Sequence, residues 1–150
     1  MARDYPQLLA DRDVVVIRDG RPEQTRLRAW HDGYDGPMPC YRIQLVTRAG
    51  NYTCPYTATA EDLFEALVRL RRQLEPDGLM VAVQGSRRDT YPSGMARDMG
   101  GGWKIYVLRP GVPGHPDLVR TLDDAPADQL ATVDEQWAFR EAWMASLRKP

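Results

Sequence analysis

A single α+β domain is expected from this chain: an antiparallel or mixed sheet of five or six strands covered by two main helices. Three features point to it. Its 150 residues suit one hydrophobic core. Short β-branched or alternating apolar runs fill the first third, each closed by Gly, Pro, Asn or Asp, as strands and turns require. Two later stretches open on a Thr-x-x-acid capping signature and then repeat apolar residues at helical spacing.

The elements follow in order. Val14-Val15-Val16-Ile17 is a strand, and Arg18-Asp19-Gly20-Arg21-Pro22 is its turn. Leu27, Ala29 and His31 alternate with Arg26, Arg28 and Trp30, so the chain returns antiparallel with one polar face. Gly, Asp and Pro make 32–39 a loop, and Tyr41, Ile43 and Leu45 share one face of a third strand, Cys40 to Val46. With Ala49 and Gly50 as the next turn, Cys54 faces Leu45 and Cys40 falls beyond the partner strand. A Cys40–Cys54 bridge is therefore not expected, and both thiols read as small half-buried groups. Pro55 lacks a ladder donor and places the strand Tyr52 to Tyr56 at an edge.

Thr59-Ala60-Glu61-Asp62 is expected to start a helix whose stripe is Leu63, Leu67, Leu70 and Leu74, widened by Phe64 and Ala66, with Arg69, Arg71, Arg72 and Glu75 outward. Pro76-Asp77-Gly78 ends it. The unbroken apolar run Leu79 to Val83 suits a central strand covered on both sides, and Ile105-Tyr106-Val107-Leu108 a further strand. The segment 117–132 reads as a mostly solvated acidic connector, with a short helix or turn around Leu118, Val119 and Leu122. Thr132-Val133-Asp134-Glu135 opens a C-terminal helix, 133–147, whose Val133, Trp137, Phe139, Trp143 and Leu147 must dock, because an isolated helix of this length is marginal in water.

Composition limits the functional classes. Twenty basic and twenty-one acidic residues leave a net charge of -1, too balanced for nucleic-acid binding by global charge. No apolar run suits a membrane span, and Met1-Ala-Arg-Asp-Tyr-Pro opens no secretory signal, so the cytoplasm is the expected location. Eighteen of the basic residues are Arg, a bias that GC-rich coding explains more readily than anion recognition, so only clustered Arg counts as evidence. No metal or cofactor is expected: His31 lies near Asp32, Asp35 and Cys40 without a second His or a Cys-x-x-Cys spacing, and reads as a turn or core histidine. His115 sits in a Pro-rich loop. Glu61-Asp62 and Asp134-Glu135 suit first-turn charges that answer a helix dipole. Tyr34, Tyr41, Tyr52 and Tyr56 are enough aromatic surface for a partner-binding face if the first sheet is exposed.

The unusual segment is 85–102, longer than an ordinary connection yet composed for order. Asp89 or Thr90 suits the cap of a short helix with Pro92 in its first turn and Met95 and Met99 facing inward, and three glycines turn the chain into Trp103. Gly85 to Arg109 carries +3, whereas Asp117 to Glu135 holds six acids against Arg120 alone. Two readings stay open for the loop. Arg87, Arg88, Tyr91, Ser93, Arg97 and Lys104 surround an anionic small molecule bearing phosphate or carboxylate, in a small enzyme or ligand-binding protein. Alternatively, the loop is knitted by its own ion pairs, Arg87 or Arg88 with Asp89, and Arg97 with Asp98 or the acidic connector. No Gly-Lys-Ser/Thr follows, so it is not a Walker A loop.

The Arg87-Arg88-Asp89-Thr90-Tyr91-Pro92-Ser93-Gly94-Met95 loop ending Asp98-Met99-Gly100-Gly101-Gly102, the Tyr106 strand and the helix opening Thr132-Val133-Asp134-Glu135-Gln136 together resemble small bacterial proteins, some of the immunity type that accompany polymorphic toxins. The resemblance spans Leu79 to Leu147. It implies non-catalytic capture of one protein partner, with exposed charge complementing the partner's site. An Arg-rich loop departs from the acidic surface suited to blocking a basic nuclease. Asp117, Asp123, Asp124 and Asp128 are therefore the expected partner-binding residues.

Overall fold

The computed structural model describes residues 4–49, 51–113 and 117–148; Met1, Gly50, His115 and Lys149 lie outside them. Four long strands come first: β1 (Gln7–Arg18), β2 (Arg21–Asp35), β3 (Met38–Ala49) and β4 (Tyr52–Ala60). After α1 (Leu63–Leu74), β5 (Leu79–Val81) completes a curled antiparallel sheet of order β4-β3-β2-β1-β5. Next come β6 (Thr90–Tyr91), α2 (Gly94–Gly100), β7 (Lys104–Val107), β8 (Leu118–Arg120) and α3 (Val133–Ser146), with β6-β7-β8 forming a second small sheet. The fold is a single α+β domain, as expected, and no helix among the described residues is long and apolar enough to cross a membrane.

Strand alternation decides the two faces of the large sheet. Val14, Val16, Leu27, Ala29, Ile43, Leu45 and Ala58 turn inward under the buried Leu63, Leu67, Leu70 and Leu74 of α1. Burial of each such side chain contributes about 1.5 to 3 kcal/mol. The opposite face carries opposed charges across β1, β2 and β3. Asp11 faces Arg28 and Asp13 faces Arg26 directly across β1 and β2, and Arg26 donates to Asp11 at 2.6 Å. That bond holds the Asp11 carboxyl below its ordinary pKa. Arg42 donates to Asp32 at 2.8 Å and lies over the Trp30 ring at 3.9 Å.

Several local expectations shift. The loop expected at 32–39 belongs mostly to strands, because Gly33, at φ +100, absorbs a register break between β2 and β3. His31 is buried and its Nδ1 accepts the Gly33 amide at 3.0 Å, a core histidine. In the next hairpin Ala49 pairs with Tyr52, so Cys54 faces Thr47 instead of Leu45. A shift of two residues preserves every side chain's face. Cys40 opposes Gly33 and both thiols are free. Tyr41 and Tyr56 are half-buried, while Tyr34 and Tyr52 are exposed at opposite ends of β3, so the four tyrosines share no binding face.

Thr59 does not cap α1. Thr59 and Ala60 pair with Arg42 and Tyr41 in the ladder, and Asp62 caps instead, accepting the Glu65 amide at 2.8 Å. β4 is an edge, as Pro55 implied, and α1 shields it: Gln73 and Arg69 donate to the Thr57 and Thr59 carbonyls at 2.8 and 2.7 Å. At the other end of α1, Tyr56 donates to Asp77 at 2.6 Å, which raises its phenol from 10.0 to about 12. The stabilisation from this bond is present below pH 10 and disappears as pH rises through about 12. Ultraviolet titration is expected to find one tyrosine ionising near 12, and Asp77→Asn to return it towards the ordinary value.

β5 is a three-residue edge strand on β1, not a central one. The apolar run continues because Ala82 and Val83 are buried where 123–125 crosses them: Ala125 donates to the Ala82 carbonyl, and Val83 bridges Asp124. α3 packs against β6 and α1, and α1 is the helix with the main contacts to the large sheet. Arg71, expected outward, is buried. It donates to Gln136 Oε1 at 2.5 Å and to the Ala131 and Gly85 carbonyls at 2.8 and 3.2 Å. Gln136 Nε2 in turn donates to the Arg87 and Thr90 carbonyls at 2.8 and 3.0 Å. Burial pushes the Arg71 pKa down to about 10, leaving it charged at neutral pH. This hub fastens α1, α3 and the start of the long loop together.

Candidate partner-binding site

The acidic connector is a pinned strap. Thr121 and Leu122, just beyond β8, are buried, and the Thr121 hydroxyl donates to the Gly102 carbonyl at 2.5 Å. Gly85 donates to the Thr121 carbonyl at 2.9 Å and Gln84 to that of Asp123 at 2.8 Å. Arg88 donates to Gln129 at 3.0 Å and Ala131 to Ser86 at 3.1 Å, so segments 84–88 and 121–131 run bonded side by side. Arg12, on β1, donates to the Leu122 carbonyl and, at 2.9 Å, to Asp124. The expectation of a mostly solvated connector is thus corrected: its backbone is tied down and its carboxylates are what reach solvent.

Asp123, Asp124 and Asp128 are exposed together along this strap, and Asp123 and Asp128 make no ion pair among the described residues. Asp117 is set apart by the length of β8 and is held by Arg109. The strap ends in the expected capping box, where Thr132 donates to Glu135 and Glu135 to the Thr132 hydroxyl at 2.9 and 3.1 Å. The Thr132 amide holds the Glu135 carboxyl below the ordinary carboxylate pKa, so it stays ionised. Strap residues 124–127 border a depression of about 360 Å³ lined by Val15, Ile17, Pro22, Ala82 and Ala125. Residues 128–131 border another of about 500 Å³, with Leu108, Leu130 and Phe139 beside Arg88, Asp128 and Glu135.

The six cationic-loop candidates are dispersed. Arg87 donates to both Asp89 oxygens at 2.9 and 2.8 Å, an internal pair of the loop itself. Arg88 is exposed and lies 5.9 Å over Phe139. The Ser93 hydroxyl caps α2 by accepting the Ala96 amide at 3.0 Å, a role expected of Asp89 or Thr90. Thr90 instead sits in β6 and donates to the Gln84 carbonyl at 2.8 Å. Arg97 reaches across to Glu65 and Asp62 of the α1 start at 3.4 and 3.6 Å, rather than to Asp98. Tyr91 is flanked by Arg97 and Arg140, each 5.5 Å from its ring, and burial raises its phenol pKa. Lys104 stands at the start of β7, paired in register with Arg120 of β8. Met95 and Met99, expected inward, are 71% and 83% exposed, because Gly101 and Gly102 dock the end of α2 and leave its methionine side to water.

Sequence reasoning missed Arg71, Gln136 and Arg12. For Arg71 a signal existed, since it stands four residues after Leu67 and three before Leu74, on their flank of the helix. Arg12 and Gln136 answer partners over one hundred and about fifty residues away, which no local pattern records. No protein-family model and no curated protein matches this chain. The fold and the strap define a single-domain α+β protein with a hydrogen-bonded acidic strap bordering two partly apolar depressions.

Proposed function

We propose that this chain is a non-catalytic cytoplasmic binding protein of the immunity type, capturing one basic protein partner on the strap 123–135. The observation that carries the reading is the exposure of Asp123, Asp124 and Asp128 on a backbone bonded along its length to 82–88. A surface already ordered loses little entropy on binding. Its carboxylates steer a basic partner and fix its register, while apolar anchors from the partner fill the bordering depressions. Trp137, half-exposed on α3 and stacked edge-on with Tyr91 under Arg140, adds residue types that concentrate binding energy at interfaces.

The test co-expresses the chain with the product of each flanking gene in its source. A product that arrests growth alone is expected to be neutralised and to co-purify at near one-to-one yield. The triple variant Asp123→Asn/Asp124→Asn/Asp128→Asn is expected to weaken that complex at least about tenfold while leaving thermal stability within about 3 °C, because exposed charges contribute little to folding. Equal affinity of the triple variant overturns the reading, as do flanking products that neither arrest growth nor bind.

A further inference from the structure

Lys104 and Arg120 are direct partners in the β7–β8 ladder, so their side chains leave the same face of the small sheet. Like charges placed so repel. On the large sheet Arg26 and Arg28 of β2 face Asp13 and Asp11 of β1, whereas Lys104 and Arg120 are both exposed and pair with no acid among the described residues. The next pair on that face is Tyr106 and Leu118, and Leu118 is 48% exposed. Trp103 with Ala96 and Gly100 of α2 walls this face into a trough of about 340 Å³, and a second hollow of about 190 Å³ lies between Trp103, Lys104 and Arg120. Trp103 and Lys104 line both, so the apolar trough leads to the two cations.

We infer that this trough binds a small amphiphilic carboxylate, its apolar body against Trp103, Tyr106 and Leu118 and its carboxylate spanning Lys104 and Arg120. The volume lies at the lower end of small-molecule sites, which are apolar clefts with few oriented polar groups. The guanidinium fork and the ammonium together match two carboxylate oxygens. The anion also removes the repulsion between its two partners. This site is separate from the acidic strap and does not depend on it.

The test titrates the full chain with dodecanoate, 4-phenylbutyrate and dodecanol, reading equilibrium dialysis and tryptophan fluorescence, with Trp103→Phe to assign the signal. One-to-one saturable binding of a carboxylate is expected, with a rise in melting temperature. Preference between the alkyl and aryl acids identifies the class of body the trough takes. Dodecanol is expected to bind at least about tenfold more weakly, and Lys104→Gln and Arg120→Gln each to lose roughly tenfold in carboxylate affinity. Neither substitution is expected to lower the melting temperature of the free protein, since each relieves a like-charge contact. Absence of saturable binding up to about 1 mM, or affinity unchanged in both variants, overturns the inference. So does a dimer that Lys104→Glu abolishes in a protein that binds no carboxylate, because a second copy then fills the trough.

Discussion

Arg71→Ala is expected to destabilise the fold by about 3 to 5 kcal/mol, lowering the melting temperature by roughly 10 °C. Arg71 is 3% exposed, and its guanidinium serves Gln136 Oε1, the Ala131 carbonyl and the Gly85 carbonyl. Alanine strands Gln136 Oε1 and the Ala131 carbonyl away from water, while the Gly85 carbonyl keeps the Gln136 Nε2 donor. Each stranded acceptor costs about 1 to 3 kcal/mol, so the loss exceeds that of any exposed arginine. Arg72→Ala, one residue on and paired with Asp134 at 3.5 Å on the surface, is expected to cost under about 1 kcal/mol. Denaturant unfolding of the two variants separates the roles, and equal losses exclude the hub. Arg71→Met combined with Gln136→Leu is expected to cost less than the sum of the two single changes, because the double variant removes donor and acceptor together.

Gly102→Ala is expected to cost about 3 kcal/mol or more. Gly102 has φ +72, and a methyl group there lies 2.7 Å from the Phe64 amide nitrogen and 2.7 Å from Asp62 Oδ1. Neither can move cheaply. Asp62 caps α1, and the adjoining Leu63 amide donates to the Gly101 carbonyl at 2.8 Å, so the glycine turn is seated on the helix start. Gly100→Ala supplies the contrast: its added methyl meets nothing within 4 Å and its φ is ordinary for a helix. That substitution is expected to be neutral or to stabilise by about 0.5 to 1 kcal/mol. Thermal unfolding of both variants decides the matter, and a Gly102→Ala protein as stable as the parent refutes the packing argument.

These two sites also show where local patterns suffice. The glycine triplet announced a sharp turn, and Thr132 with Glu135 announced a cap, because each depends on residues within three or four positions. The same Thr-x-x-acid signature at Thr59 misled, because pairing with β3 holds Thr59 and Ala60 in extended backbone until Asp62. Continuous hydrophobicity over Leu79 to Val83 suggested a central strand, whereas an edge strand covered by a crossing strap buries the same residues. The acids of the strap were visible as charge, yet only hydrogen bonds to 82–88 tie their backbone down. Lys104 was grouped with the loop arginines by nearness in sequence. Ladder register gives it Arg120 instead.

Periodicity, turn chemistry and charge segregation determine an α+β domain, its edge strand at Pro55, its Thr132 cap and the presence of one cationic and one acidic segment, all properties of neighbouring residues. Tertiary packing decides which cations are consumed internally and which face outward. Arg71 is drawn into the interior by acceptors sixty or more residues away, Arg87 and Arg97 are neutralised by carboxylates, and Lys104 is left beside Arg120. The physical reason is that side-chain direction on a strand or loop is set by register and by the partner that satisfies it, and both are fixed only when distant segments meet.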